Sequence, residues 1–313
     1  MEQQQQQPTQ DIKIGWIGLG EMGLGMATNL QKYLASHSAQ LTVWNRTLSK
    51  ADSVHALGAH VATSIEDLVS KSNVIFTSLS NDAAVDSVYS QLIPLASQTQ
   101  QPIVFIETST IHPNQATKNA QQLSSYSQHK YLQCPVFGRP PAAHAAQLVW
   151  VASGDAEAIQ KLRPYFSSMS ASIIDLKSTD VAAASSFKLI GNFFVVGTIE
   201  LLAEGLNLAE KVGVDQQAVL QFIQTFFPTP SWTGYSQKMV DGSTSKEGGF
   251  AVDLGMKDVR HMRDLAAQNG ASLPTADLAY KHLKALQDQG KGDQDWSSII
   301  NTLRETPAPQ SRQ

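Results

Sequence analysis

Three glycines near the start of the chain have the spacing of a phosphate-binding turn. Gly18, Gly20 and Gly23 follow a short apolar run and precede a stretch of helical composition. In this arrangement the first glycine permits a sharp bend, the second lets a pyrophosphate approach the backbone, and the third lets the helix pack against the strand. The helix N-terminus adds N–H donors and a partial positive charge. We therefore predict a dinucleotide site that includes Gly18, Leu19, Gly20, Glu21, Met22 and Gly23.

A second segment indicates which dinucleotide the turn binds. Asn45 lies about 20 residues after Gly23, where NAD-dependent enzymes carry an Asp or Glu that binds the ribose hydroxyls. Asparagine does not repel a 2′-phosphate, and Arg46 can fork onto such a phosphate or stack on the adenine. Thr47 and Lys50 can add further donors. This segment predicts NADP(H) rather than NAD, although a solvated turn would have a similar composition.

Composition limits the class of protein. The chain has 313 residues, of which 42% are hydrophobic, and this length predicts two domains. Its net charge of −4 comes from interspersed residues, so no basic surface for nucleic acid is indicated. Cys134 is the only cysteine, which excludes an internal disulfide and a cysteine-based metal cluster and fits a reducing, cytoplasmic location. The eight histidines show no metal-ligand spacing, so no metal is expected.

Both ends of the chain are polar. Residues 1–11 are rich in glutamine and lack the apolar core of a secretory signal, so we predict a disordered tail, and we interpret residues 305–313 in the same way. The most apolar segment, Leu189–Ile199, has 11 uncharged residues, which is too short to span a bilayer. We predict that it lies in a helix buried within the protein, and we expect no membrane partner.

Between these tails the sequence pattern changes once. From residue 12 to 177 short β-rich runs alternate with helical stretches, which predicts an α/β Rossmann domain with a doubly wound, mainly parallel sheet. From 178 to 304 the pattern is helical, which predicts an all-α C-terminal domain joined through a long interdomain helix at Val181–Val212. The predicted strands are Lys13–Ile17, Leu41–Trp44, His60–Ala62, Val74–Ser78, Ile103–Glu107, Lys130–Cys134, Leu148–Ala152 and Ser172–Ile174.

Seven blocks, taken in order, resemble the β-hydroxyacid dehydrogenase family, which includes 3-hydroxyisobutyrate dehydrogenase and the glyoxylate/succinic semialdehyde reductases. The blocks are Gly18–Leu30, Asn45–Thr47, Ser78–Asn81, Glu107–Thr110, Cys134–Gly138, Phe187–Asn192 and Met256–Asp258. The second block is similar to the NADP-preferring branch. The resemblance implies an NADP(H)-dependent oxidoreductase that reduces a small aldehyde or oxo acid to the hydroxy acid, reversibly. It also implies a homodimer or a higher homo-oligomer that pairs through the long helix.

The resemblance implies that Lys188 is the catalytic residue. Carbonyl reduction needs a proton for the developing alkoxide, and a partly buried ammonium has a lowered pKa that suits it to supply one. The apolar neighbours of Lys188 favour a buried position. Asn192 lies one helical turn further on the same face and can orient the lysine or the substrate. Both residues are therefore also expected to contact the substrate.

Further cofactor contacts are implied by the same resemblance. Leu79 and Ser80 match the strand end that passes under the nicotinamide ribose, and Ser109 and Thr110 can meet the ribose or the carboxamide. Lys257 is expected to reach the cofactor or the substrate, held in place by the aspartate that follows it. The serine–threonine pair would also fit a plain helix cap, and the lysine–aspartate pair a surface ion pair.

The residues expected to bind the substrate depart from the family pattern. Where the family has Ser-Gly-Gly for the substrate carboxylate, this chain has Phe137-Gly138-Arg139, which removes a hydroxyl donor and adds a guanidinium able to form a bidentate pair. Just before Lys188, the family's Gly-Ser-Gly is replaced by three alanines. Trp232, in an aromatic-rich segment, is a candidate for a less polar pocket, although such clusters often form core or subunit contacts.

Two other functions stay open on the sequence alone. Imine reductases and reductive aminases share the implied architecture, and the altered segment from 137 to 139 favours them. The lysine at 188 argues against them, since they usually carry another residue there. A non-catalytic NADP-binding protein is the third alternative, and the presence of Lys188, Asn192 and Lys257 together argues against it.

Overall fold

The computed structural model describes residues 12–244 and 249–305, so the predicted N-terminal tail and residues 306–313 lie outside it. The chain is divided into two compact units. The sheet unit contains the residues up to Ser109 together with Pro113–Ala184, and the helical unit contains Thr110–His112 together with the residues from Ser185 onward. The division therefore falls between residues 184 and 185, whereas the sequence pattern placed it between 177 and 178.

Six parallel strands form the main part of the sheet. In chain order they are β1 (Ile14–Ile17), β2 (Thr42–Trp44), β3 (His60–Val61), β4 (Val74–Thr77), β5 (Val104–Glu107) and β6 (Lys130–Gln133). They are arranged as β3-β2-β1-β4-β5-β6, so the order reverses between β1 and β4. This confirms the predicted doubly wound arrangement, in which ligands bind at the carboxyl ends of the strands near that reversal.

The register lines up the carboxyl ends of four of these strands. Ile17 is paired with Trp44 and with Thr77, and Thr77 is paired with Glu107. The residues that directly follow these four positions therefore leave the sheet at one edge. The four strands are almost entirely buried, as expected where helices cover both faces of a parallel sheet.

Three further strands extend the sheet beyond β6. They are β7 (Val136–Phe137), β8 (Leu148–Gly154) and β9 (Ser170–Asp175). β8 is antiparallel to β6 and β7, and parallel to β9. β7 is absent from the predicted strands. Two residues between Pro135 and Gly138 are too few to show a period-two pattern, so only the pairing with β8 defines this strand.

Helices connect the strands of the sheet unit. They are α1 (Glu21–Ser36), α2 (Asp52–His55), α3 (Ile65–Ser70), α4 (Asp82–Ser97), α5 (Pro113–Ser124), α6 (Pro140–His144) and α7 (Ala156–Ser167). α3, α4 and α7 begin at a side-chain cap, because Ser64, Asn81 and Asp155 each accept a hydrogen bond from a backbone N–H three residues further on. α1 begins after Gly20, which has no side chain to cap the helix.

The core of the sheet unit is built around four buried aromatic side chains. Phe76 stacks on Trp16 with ring centroids 5.2 Å apart, and it meets Trp150 and Phe166 edge-on at 6.3 and 6.1 Å. Trp16 and Phe76 are direct partners on β1 and β4. This cluster therefore holds together the two strands between which the strand order reverses.

The described part of the helical unit contains six α-helices, of which the first starts at the end of the sheet unit. They are α8 (Ala182–Lys211), α9 (Gln216–Phe226), α10 (Pro230–Asp241), α11 (Val252–Gln268), α12 (Pro274–Asp288) and α13 (Ile299–Glu305). α8 is the long helix predicted at Val181–Val212, one residue shorter at each end. Proline occupies the first position of α10 and of α12, where its missing N–H has no helical partner to lose.

α8 is buried along one face only. Leu189 and Val196 pack in the core, whereas Ile190 and Phe194 are 53% and 67% exposed. The prediction that Leu189–Ile199 is buried within the protein is therefore right for half of the helix surface. Of the described helices, α8 alone is long and apolar enough to cross a membrane. However, 44% of its most apolar window is buried, and core helices of soluble proteins meet the same criteria.

Candidate active site

The glycine turn has the geometry of a phosphate site. Gly18 has a φ of +99°, which side chains rarely allow, and a Cβ there would collide with the carbonyl oxygen of Ser78. A Cβ at Gly23 would collide with the carbonyl oxygen of Gly18, so the helix could not pack this closely on the turn. At Gly20 no atom lies within 4 Å of a Cβ position, which leaves the N-terminus of α1 open. The turn therefore fits a pyrophosphate.

Asn45 braces this turn. Its Oδ1 accepts a hydrogen bond from the Leu19 N–H at 2.9 Å, and its Nδ2 donates to the Thr47 carbonyl oxygen at 2.9 Å. The side chain that was predicted to face the ribose thus links the end of β2 to the glycine turn. Arg46, like Thr47 and Lys50, is exposed, so its guanidinium is accessible to a ligand at this edge of the sheet.

A buried carboxyl group organises the ends of β4 and β5. Glu107 accepts hydrogen bonds from the Ser109 N–H and from the Thr77 hydroxyl, both at 2.7 Å. Ser109 Oγ in turn accepts a hydrogen bond from the Leu79 N–H at 2.7 Å. Burial raises the pKa of Glu107 to about 7, against the opposing effect of its hydrogen-bond donors. The structure thus brings Leu79 and Ser109 together. Ser80, which follows Leu79 in the chain, is exposed.

Four polar side chains form a connected cluster in the helical unit, which we call the lysine cluster. The Lys188 ammonium donates to Asn192 Oδ1 at 3.0 Å, and Asn192 Nδ2 donates to Asp258 Oδ2 at 2.6 Å. The other oxygen of Asp258 lies 3.0 Å from the Lys257 ammonium. Two members come from adjacent turns of α8 and two from α11, so the cluster joins these helices. Three predicted site residues, Lys188, Asn192 and Lys257, therefore meet here.

Burial changes the acid–base properties of the lysine cluster. Lys188 and Asn192 are 7% and 6% exposed, and Asp258 is fully buried. Burial lowers the pKa of Lys188 from 10.5 to about 8; the Asp258 carboxylate opposes this effect, and the Lys257 charge adds to it. A lysine with a pKa this close to neutrality can both give and take a proton at physiological pH.

Asp258 and Thr110 have parts in the lysine cluster that the sequence did not indicate. Asp258 was expected only to hold Lys257, but it also accepts the hydrogen bond from Asn192. Lys257 donates to the main-chain carbonyl oxygen of Thr110, which belongs to the helical unit. Thr110 therefore joins the cluster through its backbone. A cofactor contact by Thr110 or Lys257 stays a prediction.

The predicted substrate residues are divided between the two units. Phe137 ends β7 and Arg139 precedes α6, with Gly138 between them; both side chains are half-buried in the sheet unit. Trp232, in α10 of the helical unit, stacks on Phe227 with ring centroids 4.2 Å apart. One face of the tryptophan ring thus already has an aromatic partner. Substrate contacts by these residues stay predictions.

The described side chains outside the lysine cluster offer little other chemistry. Within residues 12–244 and 249–305, no group of three or more His, Cys, Asp or Glu side chains is placed to hold a metal ion. Cys134 is fully buried, and burial raises the pKa of its thiol far above the usual range, so it is not a nucleophile at neutral pH. The arrangement therefore favours acid–base chemistry at Lys188.

Two protein families together match nearly the whole described chain. Residues 13–179 match the family described as the NAD binding domain of 6-phosphogluconate dehydrogenase. Residues 182–303 match the family described as the NAD-binding domain of NADP-dependent 3-hydroxyisobutyrate dehydrogenase. The change from one family to the other falls at the beginning of α8.

Individual proteins are similar over most of their length. The chain is 31% identical to the NADH-dependent oxidoreductase ucdB of Aspergillus ustus over 286 residues, which are 90% of this chain and 96% of that protein. It is 28% identical to glyoxylate/succinic semialdehyde reductase 1 of Arabidopsis thaliana, over 94% of this chain and 99% of that protein. The solved structure of Mycobacterium tuberculosis 3-hydroxyisobutyrate dehydrogenase with L-serine shares the fold, with a TM-score of 0.81, 24% identity, and coverage of 94% of this chain and 100% of that one.

The lowered pKa of Lys188 predicts how stability depends on pH. Between pH 8 and pH 10.5 the unfolded chain holds a proton at this position that the folded chain has lost. The free energy of unfolding of the wild type should therefore rise over this range relative to Lys188→Met, by about 3 kcal/mol at 1.4 kcal/mol per pKa unit. Urea denaturation of both proteins at several pH values measures the difference, and parallel profiles would contradict a lowered pKa of Lys188.

Proposed function

Because this chain belongs to the β-hydroxyacid dehydrogenase family and is an oxidoreductase with a nicotinamide cofactor, we propose that it reduces a small aldehyde or oxo acid to the hydroxy acid, reversibly, with NADPH. Lys188 is the proposed proton donor. The observation that carries this proposal is the lysine cluster, in which a buried ammonium of lowered pKa donates to an amide that is itself held by a buried carboxylate.

Three residues of the lysine cluster have distinct parts in the proposed reaction. A dihydronicotinamide held at the glycine turn would supply the hydride for the carbonyl carbon. As negative charge develops on the carbonyl oxygen, the Lys188 ammonium donates a proton to it and becomes a neutral amine. Asn192 holds the lysine nitrogen through Oδ1, and Asp258 fixes the orientation of Asn192 by accepting from its Nδ2. In the reverse direction the neutral Lys188 amine takes the proton from the hydroxyl group.

The proposed preference for NADPH rests on the segment after β2. From Asn45 to Lys50 there is no carboxylate, and Arg46 is an exposed cation. A 2′-phosphate would gain a bidentate pair from the guanidinium of Arg46. An NAD-specific site usually supplies a carboxylate for the ribose hydroxyls, whereas Asn45 offers a single amide oxygen, of which the Leu19 N–H already takes one lone pair. Since one relative is named for NADH, the family does not fix this choice, and the segment itself carries the proposal.

The proposed substrate class rests on the residues around Gly138. The guanidinium of Arg139 can form a bidentate pair with a carboxylate, which supports an oxo acid or an acid semialdehyde. Phe137 adds apolar bulk where the family pattern has a serine, and this substitution supports an imine or an uncharged ketone instead. Imine reduction is therefore the second candidate function.

Replacing Lys188 by alanine is expected to lower the NADPH-dependent reduction of glyoxylate or succinic semialdehyde by about 100-fold or more, because the developing alkoxide loses its proton donor. NADPH should still bind. In the wild type, kcat/KM for reduction should fall as the pH rises through about 8, because the ammonium form is then lost. The absorbance of NADPH follows turnover, and its fluorescence follows binding.

Lys211→Ala is the matched control, because Lys211 is an exposed lysine at the other end of α8. Unchanged turnover in Lys188→Ala would contradict the proposed role of the lysine. Oxidation of NADPH by a ketone only in the presence of an amine would select imine reduction. Binding of NADPH without turnover of any carbonyl or imine would select the non-catalytic alternative.

Arg46→Ala is expected to reduce the preference for NADPH over NADH by about 10- to 100-fold, the range that a hydrogen bond to a charged group provides. The KM for NADH should stay unchanged, because NADH has no 2′-phosphate for the guanidinium to bind. Steady-state kinetics with both cofactors measure the ratio, and Lys32→Ala, an exposed lysine of α1, is the control. An equal loss with NADPH and NADH would refute the assignment of Arg46.

We also propose that α8 pairs with α8 of a second copy of this chain. Ile190, Phe194, Leu201 and Leu208 are 53%, 67%, 56% and 62% exposed. Their spacings of four, seven and seven residues place them on one stripe, since seven residues are close to two helical turns. A stripe of large apolar side chains along a helix of 30 residues is typical of a helix–helix interface.

The double substitution Phe194→Glu and Leu201→Glu is expected to convert a dimer or larger oligomer into monomer, because two carboxylates would have to be buried against apolar side chains. Light scattering coupled to size-exclusion chromatography measures the mass. Val214→Glu introduces the same charge at an exposed apolar residue outside α8 and should leave the mass unchanged. A monomeric wild type would exclude this interface.

A further inference from the structure

One side chain of α1 joins this helix to the short helix α6. Asn29 Nδ2 lies 2.8 Å from the Ala143 carbonyl oxygen, 3.1 Å from the His144 carbonyl oxygen and 3.1 Å from the Gly25 carbonyl oxygen. The two N–H bonds of the amide are thus shared among three backbone acceptors. Two of these acceptors are the last carbonyls of α6, where a helix runs out of its own N–H donors; the Ala143 oxygen also accepts the Ala146 N–H at 3.4 Å.

The backbones of α1 and α6 also approach each other closely at this point. A Cβ added to Gly25 would lie 2.9 Å from the carbonyl carbon of Ala143 and 2.9 Å from the nitrogen of His144. Ala143 itself is fully buried. The absence of a side chain at Gly25 therefore allows the contact, and the amide of Asn29 fixes its position.

α6 directly follows the segment Phe137–Arg139, which we call the substrate loop. The Ala143 N–H donates to the Arg139 carbonyl oxygen at 3.1 Å, so the last residue of the loop belongs to the first turn of α6. Pro140 and Pro141 restrict the backbone between Arg139 and Ala143. Any shift of α6 therefore moves Arg139 with it.

We propose that Asn29 is a positioning residue that ties the substrate loop to the cofactor-binding helix α1. The inference rests on the proposed function, in which the substrate loop contacts the carbonyl substrate. Asn29 lies nearly two turns beyond Gly23, roughly 9 Å along the helix axis, and acts on the substrate only through α6. A helix of five residues has little stability of its own, so its position depends on such outside bonds.

The same helix provides a matched control. Gln31 Oε1 accepts a hydrogen bond from the Leu41 N–H at 2.9 Å, and its Nε2 donates to the Leu57 carbonyl oxygen at 3.0 Å. Gln31 thus joins α1 to its surroundings with the same amide chemistry as Asn29. None of these bonds involves α6 or the substrate loop.

The test compares Asn29→Ala, Asn29→Asp and Gln31→Ala. Asn29→Asp keeps the size of the side chain but replaces its NH2 group by an oxygen, which would face the three carbonyl oxygens. Both Asn29 variants are expected to raise the KM for the carbonyl substrate about tenfold, because a small displacement of binding groups weakens a productive complex. The Kd of NADPH should change less than twofold. Gln31→Ala should lower the melting temperature without changing the substrate KM.

Hydrogen exchange measured by mass spectrometry provides a readout that needs no turnover. Backbone amides from residue 138 to 147 should exchange at least tenfold faster in the Asn29 variants than in Gln31→Ala. Faster exchange in the Asn29 variants, together with a wild type that reduces no carbonyl, would show that Asn29 positions α6 and that the proposed function is wrong. Equal exchange in all variants, or a KM that rises equally in Gln31→Ala, would overturn the proposal. If an Asn29 variant does not fold, Gly25→Ala is used in its place, because it perturbs the contact between α1 and α6 and keeps Asn29.

Discussion

The burial of the Lys188 ammonium is the constraint around which the helical unit is arranged. Taking a charge out of water costs several kcal/mol unless nearby groups compensate. Asn192 supplies an oxygen to the ammonium, and the Asp258 carboxylate supplies negative charge behind it, but Lys257 competes for that carboxylate. Lys188 is therefore held in place while its proton is easily lost. α8 and α11 are both needed for this balance, because each contributes half of the cluster.

The sheet unit is arranged for a second requirement, the binding of a dinucleotide. A dinucleotide needs backbone donors that are not already paired, together with a rigid frame that keeps them in place. The aligned ends of β1, β2, β4 and β5 provide this frame, since Asn45 braces the glycine turn and Glu107 braces Ser109. Asn45 and Glu107 are therefore bonded to the protein itself, and the open N-terminus of α1 beside Gly20 is left for the ligand.

Family membership constrains the chemistry of this protein more tightly than its specificity. The family matches support a nicotinamide-dependent oxidoreductase of hydroxy acids, and they cover both the glycine turn and the lysine cluster. The segment from Phe137 to Arg139 differs from the family pattern and is attached to α6, whose position is set by backbone contact with α1. In the proposed function this loop contacts the substrate and the lysine cluster supplies the proton, so a change of substrate class does not require a change in the cluster.

The sequence alone determined those features that depend on short-range spacing. The glycine pattern predicted the phosphate turn, and the four-residue spacing of Lys188 and Asn192 placed both on one face of α8, because neighbours in the chain share the geometry of one element. Only the tertiary structure decided the features that depend on distant partners. Asp258 meets Asn192 across 66 residues, Asn45 accepts a hydrogen bond from Leu19 across 26 residues, and β7 exists through its pairing with β8. The lowered pKa of Lys188 was also decided by the tertiary structure, because burial is a property of the packed environment and not of the residue.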